Sequence, residues 1–301
     1  MENQAILAIS ALSAENRLAR STEIEVELVR LRIELGREIL KTRAQRGQVN
    51  STWPASVDVF SGTKGIPEIM AGELSAETLA SGILHHGALL VRGLYSPGQL
   101  ERLQELSASQ EAANRLDNSP LGCTAHTLFG LLEVYRDCGL LDAVRDYLAD
   151  EPLLFGERTK LRHHRAERDK YAAIPWHQDV NFFGRKSFAV NCWAAVTGIG
   201  EGNPGLGIIP KRVDERVGWR EEDGIAPLEY GKAISQDTLS GLGTEGLAVY
   251  PVLNPGDALL FDEMTVHQTA VRRWELTEQI VTISWFFPAS RFPEWGTPLA
   301  V

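Results

Sequence analysis

Cysteine and long apolar runs are scarce in this sequence, and each shortage argues against a class of protein. The three cysteines among 301 residues, Cys123, Cys138 and Cys192, are odd in number and lack metal-type spacing. They suit a reducing compartment, where we expect packed or idle thiols and no catalytic cysteine. No segment approaches ~18 consecutive apolar residues, and the N-terminus lacks the apolar run of a signal peptide. The sequence therefore predicts a soluble protein of the cytoplasm.

Positive charge is also in short supply. Lysine and arginine number 30 against 40 aspartates and glutamates, so the formal net charge is −10 and the pI is near 5.3. A field of this sign repels nucleic acids and anionic membrane surfaces. The short basic cluster Arg162-His163-His164-Arg165 is interpreted as solvated surface and not as a phosphate-binding patch. We therefore expect neither a nucleic acid nor a membrane as a partner.

Residues 1–50 are predicted to form an N-terminal helical extension. Thr22 and Glu25 have the spacing of a capping box, and apolar residues then recur at helical intervals. They form two neighbouring stripes: Ile24, Leu28, Leu31 and Leu35, and beside them Val26, Val29, Ile33 and Leu40. So wide an apolar face must be covered. Either the rest of the chain or a second copy in a homodimer would cover it.

Residues 51–301 are predicted to form one domain that changes from helical to β along its length. Helices are expected near residues 96–116 and 131–148, and a first strand within 87–94. From residue 153 onward, short apolar runs bounded by glycine or proline predict strands at 187–196, 257–261 and 280–287. Such strands favour a barrel or sandwich over a parallel sheet. The expected fold is therefore mainly β, a barrel with helices packed on it.

The segment Ile174-Pro175-Trp176-His177-Gln178-Asp179 has the pattern of a metal site. On an extended strand, residues two apart project to the same side, so His177 and Asp179 can bind one metal ion while Gln178 points away. Imidazole and carboxylate ligands suit a cation such as Fe(II). A second histidine, His267, ends a strand that is launched from the turn at Pro255 and Gly256. Distant strands face each other across a barrel, so His267 can complete a facial triad.

Four stretches of the sequence carry a resemblance to a known family. They are residues 176–179, 191–196, 203–210 and 256–269. Their order and spacing resemble the phytanoyl-CoA dioxygenase family of iron(II)/2-oxoglutarate oxygenases over roughly residues 84–292. The resemblance implies a double-stranded β-helix (a jelly-roll or cupin-like barrel), with iron held by His177, Asp179 and His267 and chelated by 2-oxoglutarate. By the same resemblance, Trp193 and Thr269 line the 2-oxoglutarate pocket.

The sequence departs from the family pattern at one position. Members carry an arginine about a dozen residues past the distal histidine, where its planar fork binds the far carboxylate of 2-oxoglutarate. Here that position falls on Gln279, which brings no charge. Arg272 or Arg273 could substitute for it, or either could simply lie on a surface loop.

The main hypothesis is an Fe(II)/2-oxoglutarate oxygenase that uses O2 to oxidise a C–H bond of a small organic molecule, for example in natural-product metabolism. The triad does not distinguish hydroxylation from desaturation or cyclisation, nor does it identify the substrate. Two alternatives stay open. The protein could be an iron oxygenase that does not use 2-oxoglutarate, or a non-catalytic paralogue that binds a ligand or a partner subunit.

Overall fold

A computed structural model describes residues 2–46, 56–113, 121–165, 174–183, 188–200, 204–217, 233–244, 246–270 and 278–301. Within these ranges the helices are α1 (Glu2–Leu18), α2 (Thr22–Arg46), α3 (Ala76–His86), α4 (Pro97–Ala113), α5 (Ala125–Asp137), α6 (Leu140–Leu148), α7 (Val180–Phe183) and α8 (Gln236–Gly241). The strands are β1 (Glu68–Met70), β2 (Leu89–Arg92), β3 (Pro152–Phe155), β4 (Lys160–Arg165), β5 (Val190–Ala195), β6 (Gly205–Ile208), β7 (Ala258–Asp262), β8 (His267–Ala270), β9 (Glu278–Pro288) and β10 (Pro298–Ala300). None of the described helices has the length and apolar character needed to cross a membrane.

The strands form a large sheet and a small one. Eight strands make the main sheet in the order β1-β2-β7-β5-β9-β3-β10, with β4 also paired to β9. Its strands are antiparallel except for the β1–β2 pair. The small sheet is the antiparallel pair β6–β8. The long strand β9 is the centre of the main sheet, since β3, β4 and β5 all pair with it.

The main sheet buries both of its faces. On the outer face, Leu260 and Phe286 pack with helical residues such as Leu103 and Leu128. On the inner face, Trp193, Phe261 and Trp285 share an apolar cluster with Leu206 of the small sheet. Burial on both faces explains why several strands read as continuous apolar runs.

The predicted jelly-roll class with flanking helices is confirmed, with one correction. In the described part of the chain the strands do not close into a barrel. The small sheet has only two strands of four residues there, and helices cover the outer face instead of further strands.

The N-terminal extension packs on the chain's own domain, which is one of the two coverings that were expected. Leu28, Leu35 and Ile39 of α2 belong to the same apolar cluster as the inner face of the main sheet. At Gly36, an added Cβ would lie 2.6 Å from the carbonyl oxygen of Pro298, so α2 runs directly against β10. The predicted domain boundary at residue 50 lies outside the described residues.

Two local predictions about helices were wrong. Residues 131–148 do not form one helix, because Gly139 adopts a φ of 76° and separates α5 from α6. Glu25 does not complete a capping box with Thr22, since the Ser21 hydroxyl accepts the N–H of Ile24 at the start of α2. Instead the buried Glu25 carboxylate accepts a hydrogen bond from Asn16 and contacts the His126 ring at 2.7 Å. It thereby joins α2 to α1 and α5.

Candidate metal centre

The main chain brings the two histidines together. His177 and His267 form an isolated antiparallel bridge, with their N–H groups donating to each other's carbonyl oxygens at 2.9 and 3.0 Å. Beyond this bridge, residues 174–179 do not form the extended strand that was predicted. The chain turns at Asp179, whose carbonyl oxygen accepts the N–H of Phe182 at 2.8 Å, and continues into α7.

His177, Asp179 and His267 converge between the two sheets. The Nε2 atom of His177 lies 3.7 Å from Asp179 Oδ1, and the Nε2 atom of His267 lies 3.4 Å from Asp179 Oδ2. One donor atom from each residue lies within 4.8 Å of the other two. Both histidines are buried and Asp179 is 16% exposed, so the site is accessible mainly from the carboxylate side.

Both imidazoles are held in the tautomer that a metal requires. The Nδ1 atom of His177 lies 2.7 Å from the carbonyl oxygen of Pro175, and that of His267 lies 3.0 Å from the carbonyl oxygen of Thr265. A carbonyl only accepts, so each Nδ1 carries the donated proton and each Nε2 is left for a ligand bond. Such contacts also fix the orientation of the rings.

The protonation states of the three groups are set by burial and by their mutual charges. Burial and then the nearby His267 lower the pKa of His177 to about 4, so this imidazole is neutral at physiological pH. Burial opposes the charge on His267, but Asp179 outweighs it and raises the pKa of this histidine. Burial also opposes the charge on Asp179, yet the histidines and Arg158 lower the pKa of that carboxyl. The site thus holds a carboxylate beside a neutral imidazole, two donors that a cation can bind.

Gln178 points away from the triad, as the alternation of side chains predicted. Its amide nitrogen donates to the carbonyl oxygens of Met264 at 2.8 Å, Glu215 at 3.1 Å and Val213 at 3.3 Å. Its amide oxygen accepts the N–H of Val217 at 2.8 Å. This fully buried side chain therefore anchors the segment 213–217 behind the two ligands.

The other predicted site residues have different placements. Trp193 lies on the inner face of β5, opposite Leu259 and Ile283. Thr269 is a half-buried residue of β8 that pairs with Leu206. Gln279 is buried, and its amide donates to the carbonyl oxygen of Pro204 at 2.5 Å.

Arg272 and Arg273 lie outside the described residues, so the prediction that one of them supplies the missing charge is untested.

Two aromatic rings and one cation lie beside the ligands. The Phe261 ring lies 4.9 Å from the His267 ring, and the Phe182 ring meets that of His177 edge-on at 5.9 Å. Arg158 stands over Phe182, 5.9 Å from its ring centroid. Alternation along the strand that leads to His267 indicates Phe261, but we find no sequence signal for Arg158.

Glu263 is a buried acid close to the ligands. One carboxylate oxygen accepts the N–H of Ala189 at 2.8 Å, and its main-chain oxygen accepts the N–H of Val180 at 2.8 Å. Burial raises the pKa of Glu263 to about 8, so it is largely protonated at neutral pH. Glu263 is not among the residues whose donor atoms converge at the site, and it supports the backbone around α7 instead.

Several solved structures have a similar fold. EctD from S. alaskensis with 2-oxoglutarate and 5-hydroxyectoine gives a TM-score of 0.54 at 14% identity, covering 81% of this chain and 83% of that chain. The same protein with bound Fe gives 0.53 at 16% identity, with 73% and 77% covered. The epimerase SnoN, in complex with Fe3+, alpha ketoglutarate and nogalamycin RO, gives 0.50 at 14% identity, with 72% and 83% covered. At such identities the likeness establishes the fold alone.

Comparisons of the sequence give one match to a family model. No match was found among the curated proteins. The family model for phytanoyl-CoA dioxygenase (PhyH) matches residues 131–273, which include all three candidate ligands. The matched model describes the same family that the motifs of the sequence resembled.

Proposed function

We propose that the protein is an iron(II)- and 2-oxoglutarate-dependent oxygenase that oxidises a C–H bond of a small organic molecule. The observation that carries this proposal is the convergence of His177, Asp179 and His267 within 4.8 Å of one another. Two imidazole nitrogens and one carboxylate oxygen are the facial donor set of non-haem iron(II) oxygenases. The residues fit the metal, because both Nδ1 atoms contact carbonyl oxygens while the Nε2 atoms of His177 and His267 lie 3.7 and 3.4 Å from oxygens of Asp179.

Each residue of the site has a part in this function. His177, Asp179 and His267 would hold iron and leave three positions for 2-oxoglutarate and O2. When bound, iron(II) would activate O2, which is the oxidant; 2-oxoglutarate would supply two of its four electrons in becoming succinate and CO2, and the substrate C–H bond the other two. The rings of Phe182 and Phe261 shield the imidazoles from water. Gln178 holds the ligand-bearing backbone in place, and Trp193 and Thr269 would line the cosubstrate pocket.

The use of 2-oxoglutarate is supported by the family domain at residues 131–273. EctD and SnoN, which share the fold, have 2-oxoglutarate or alpha ketoglutarate in their structures. A small-molecule substrate fits a site that opens between two sheets beside the partly exposed carboxylate of Asp179.

The test combines metal binding, cosubstrate binding and turnover. We expect the purified protein to bind one equivalent of iron(II) and to develop a metal-to-ligand charge-transfer band when 2-oxoglutarate is added without oxygen. With oxygen it should release succinate, and faster with a substrate from a panel of natural-product scaffolds. Iron binding without a band or succinate would reject 2-oxoglutarate as cosubstrate.

The second candidate function is an iron oxygenase that does not use 2-oxoglutarate. It is favoured by one observation: the amide of Gln279 is already engaged with the carbonyl oxygen of Pro204, so this residue does not replace the arginine of the family. Oxygen consumption with a substrate but without 2-oxoglutarate would support this candidate.

We also propose a cytoplasmic location and a homodimer. Three free thiols suit a reducing compartment. A dimer through the extension would use the apolar side chains that the domain leaves exposed there, namely Leu7, Leu18 and Val26. Light scattering of the wild type and of Leu7→Ser and Leu18→Ser variants would test it, since a monomeric wild type would reject the dimer.

A further inference from the structure

Strand β4 carries cations on a face that the sequence alone assigned to the surface. Its register with β9 pairs Lys160 with Ile283, Arg162 with Val281 and His164 with Gln279. Directly opposite residues of an antiparallel pair project to the same face of the sheet. The direction of Lys160 and Arg162 therefore follows from the direction of Ile283 and Val281.

The odd-numbered residues of β9 face the metal site. Gln279 reaches the carbonyl oxygen of Pro204, which immediately precedes the small sheet. Trp285 lies 6.1 Å from Phe261, whose ring contacts His267. Val281 and Ile283 lie between these two residues and pack in the inner-face cluster. Lys160 and Arg162 accordingly extend from the inner face.

The other face of β4 is neutralised by acids. His163 lies 3.3 Å from Glu111 of α4 and 3.4 Å from Glu278, and Arg165 donates to Glu111 at 2.7 Å. Arg165 is 44% exposed, as a surface position predicts, whereas the His163 side chain is only 12% exposed.

Arg158 is a third cation near the metal site, besides Lys160 and Arg162. Arg158 lies two residues before Lys160 and stands over Phe182, whose ring meets that of His177. Lys160 is half-buried, and burial followed by repulsion from Arg162 and Arg158 lowers its pKa. Among the residues that the structure describes, no carboxylate lies within salt-bridge distance of Lys160. An anion bound here would relieve the repulsion.

We propose that Lys160 and Arg162 bind the distal carboxylate of 2-oxoglutarate and so replace the arginine that is absent at Gln279. The inference rests on the proposed function, because it needs 2-oxoglutarate at the iron. Lys160, Ile283 and Trp193 are opposite one another on three neighbouring strands, and they cross the inner face of the main sheet beside the site. The distal carboxylate of a 2-oxoglutarate molecule chelated at the triad would therefore point toward Lys160 and Arg162. A guanidinium and an ammonium together provide the charge-assisted hydrogen bonds that the family obtains from one arginine.

The experiment compares two ligands in each variant. 2-Oxoglutarate has the distal carboxylate, whereas 2-oxobutanoate has the same keto-acid end without it. Both are titrated without oxygen into the iron(II) protein, and the charge-transfer band gives each dissociation constant. For Lys160→Met and for Arg162→Met we expect 2-oxoglutarate affinity to fall roughly 10- to 100-fold, as for the loss of a charge-assisted bond. The affinity for 2-oxobutanoate should not change.

Two control variants isolate the effect. Arg165→Met removes a cation from the opposite face of the same strand, and we expect it to leave the affinity for 2-oxoglutarate unchanged. Lys160→Arg keeps the charge and should retain most of that affinity. Iron(II) affinity and the far-UV circular dichroism spectrum, recorded for every variant, report whether the metal site and the fold are intact.

The outcomes separate this inference from the proposed function. If the wild type binds 2-oxoglutarate and both methionine variants bind it equally well, the role of Lys160 and Arg162 is rejected while the oxygenase function stands. An equal loss of affinity for both keto acids would likewise reject it, because the cations would then act on the metal site. A wild type that binds iron but neither keto acid would overturn the proposed function itself.

Discussion

The candidate ligands are positioned by main-chain contacts, so replacing a ligand should remove the metal and leave the fold. His177→Ala deletes one donor, while the backbone bridge between residues 177 and 267 uses no side-chain atoms. We expect iron(II) binding to fall below detection by metal analysis, with the far-UV circular dichroism spectrum unchanged. His85→Ala, at an exposed histidine, is the matched control and should bind iron like the wild type. Full iron content in His177→Ala would contradict the site.

Glu263 should make the stability of the protein depend on pH. Its pKa is about 8 in the folded chain against an ordinary value of 4.5, so the native state binds more protons between these values. The free energy of unfolding therefore falls as pH rises from 4.5 through 8. Glu263→Gln keeps an oxygen for the N–H of Ala189 and removes the titration. We expect this variant to melt at a higher temperature than the wild type at pH 9. The difference between the two melting temperatures should be smaller at pH 5.

The control for this experiment is Glu77→Gln, at an exposed position of α3. It should follow the melting temperature of the wild type at both pH values. Parallel pH profiles for Glu263→Gln and the wild type would mean that Glu263 is not protonated in the native state.

At the residue scale, the sequence predicted the convergence of the triad and missed the cations beside it. Alternation placed His177 and Asp179 on one side because two-residue spacing survives even in a short bridge and turn. The direction of Arg162 depends on its register with β9, a strand more than a hundred positions away. Sequence pattern contains no information on that register, so the basic cluster was assigned to the surface as a whole.

At the scale of elements, the contact between α2 and β10 should be sensitive to a single methyl group. Gly→Ala inside a helix normally stabilises by about 1 kcal/mol. At Gly36 the new methyl would lie 2.6 Å from a carbonyl oxygen of β10, and such overpacking costs about 1–3 kcal/mol. We expect Gly36→Ala to destabilise the protein in chemical denaturation. Gly98→Ala, in α4 with nothing within 4 Å, should be neutral or stabilising.

The sequence predicted most elements but not how they are interrupted. The periodicity of residues 131–148 indicates a helix on both sides of Gly139, and only the positive φ of that glycine shows where it breaks. Glu25 has the local spacing of a capping residue, yet its partners Asn16 and His126 come from other helices. For Glu25, contacts between distant elements override local preference, and local pattern cannot reveal them.

At the scale of the whole molecule, the extension should be required for stability. Removing residues 2–46 would uncover the apolar surface on which α2 packs, including β10 and α5. We expect the shortened chain to aggregate in light scattering and to melt at a lower temperature than the full chain. A shortened chain that stays monomeric with the original melting temperature would contradict the packing.

Single substitutions provide a milder form of the same test. Leu28 is 1% exposed and Leu7 is 69% exposed. Leu28→Ala should cost about 2–5 kcal/mol, as for a buried leucine, whereas Leu7→Ala should cost little. Equal effects would mean that the extension does not pack as a unit on the domain.

The side chain of Gln178 gives the metal site a second consequence. The Gln178 amide binds the segment 213–217, and its own backbone lies between His177 and Asp179. The conformational order of the ligand segment therefore depends on that of residues 213–217. A small molecule that binds against that segment and steadies it would also steady His177 and Asp179. Thermodynamic linkage is reciprocal, so the molecule raises the affinity for iron by the factor by which iron raises the affinity for the molecule. Iron affinity can then report the occupancy of a compound that never touches the metal.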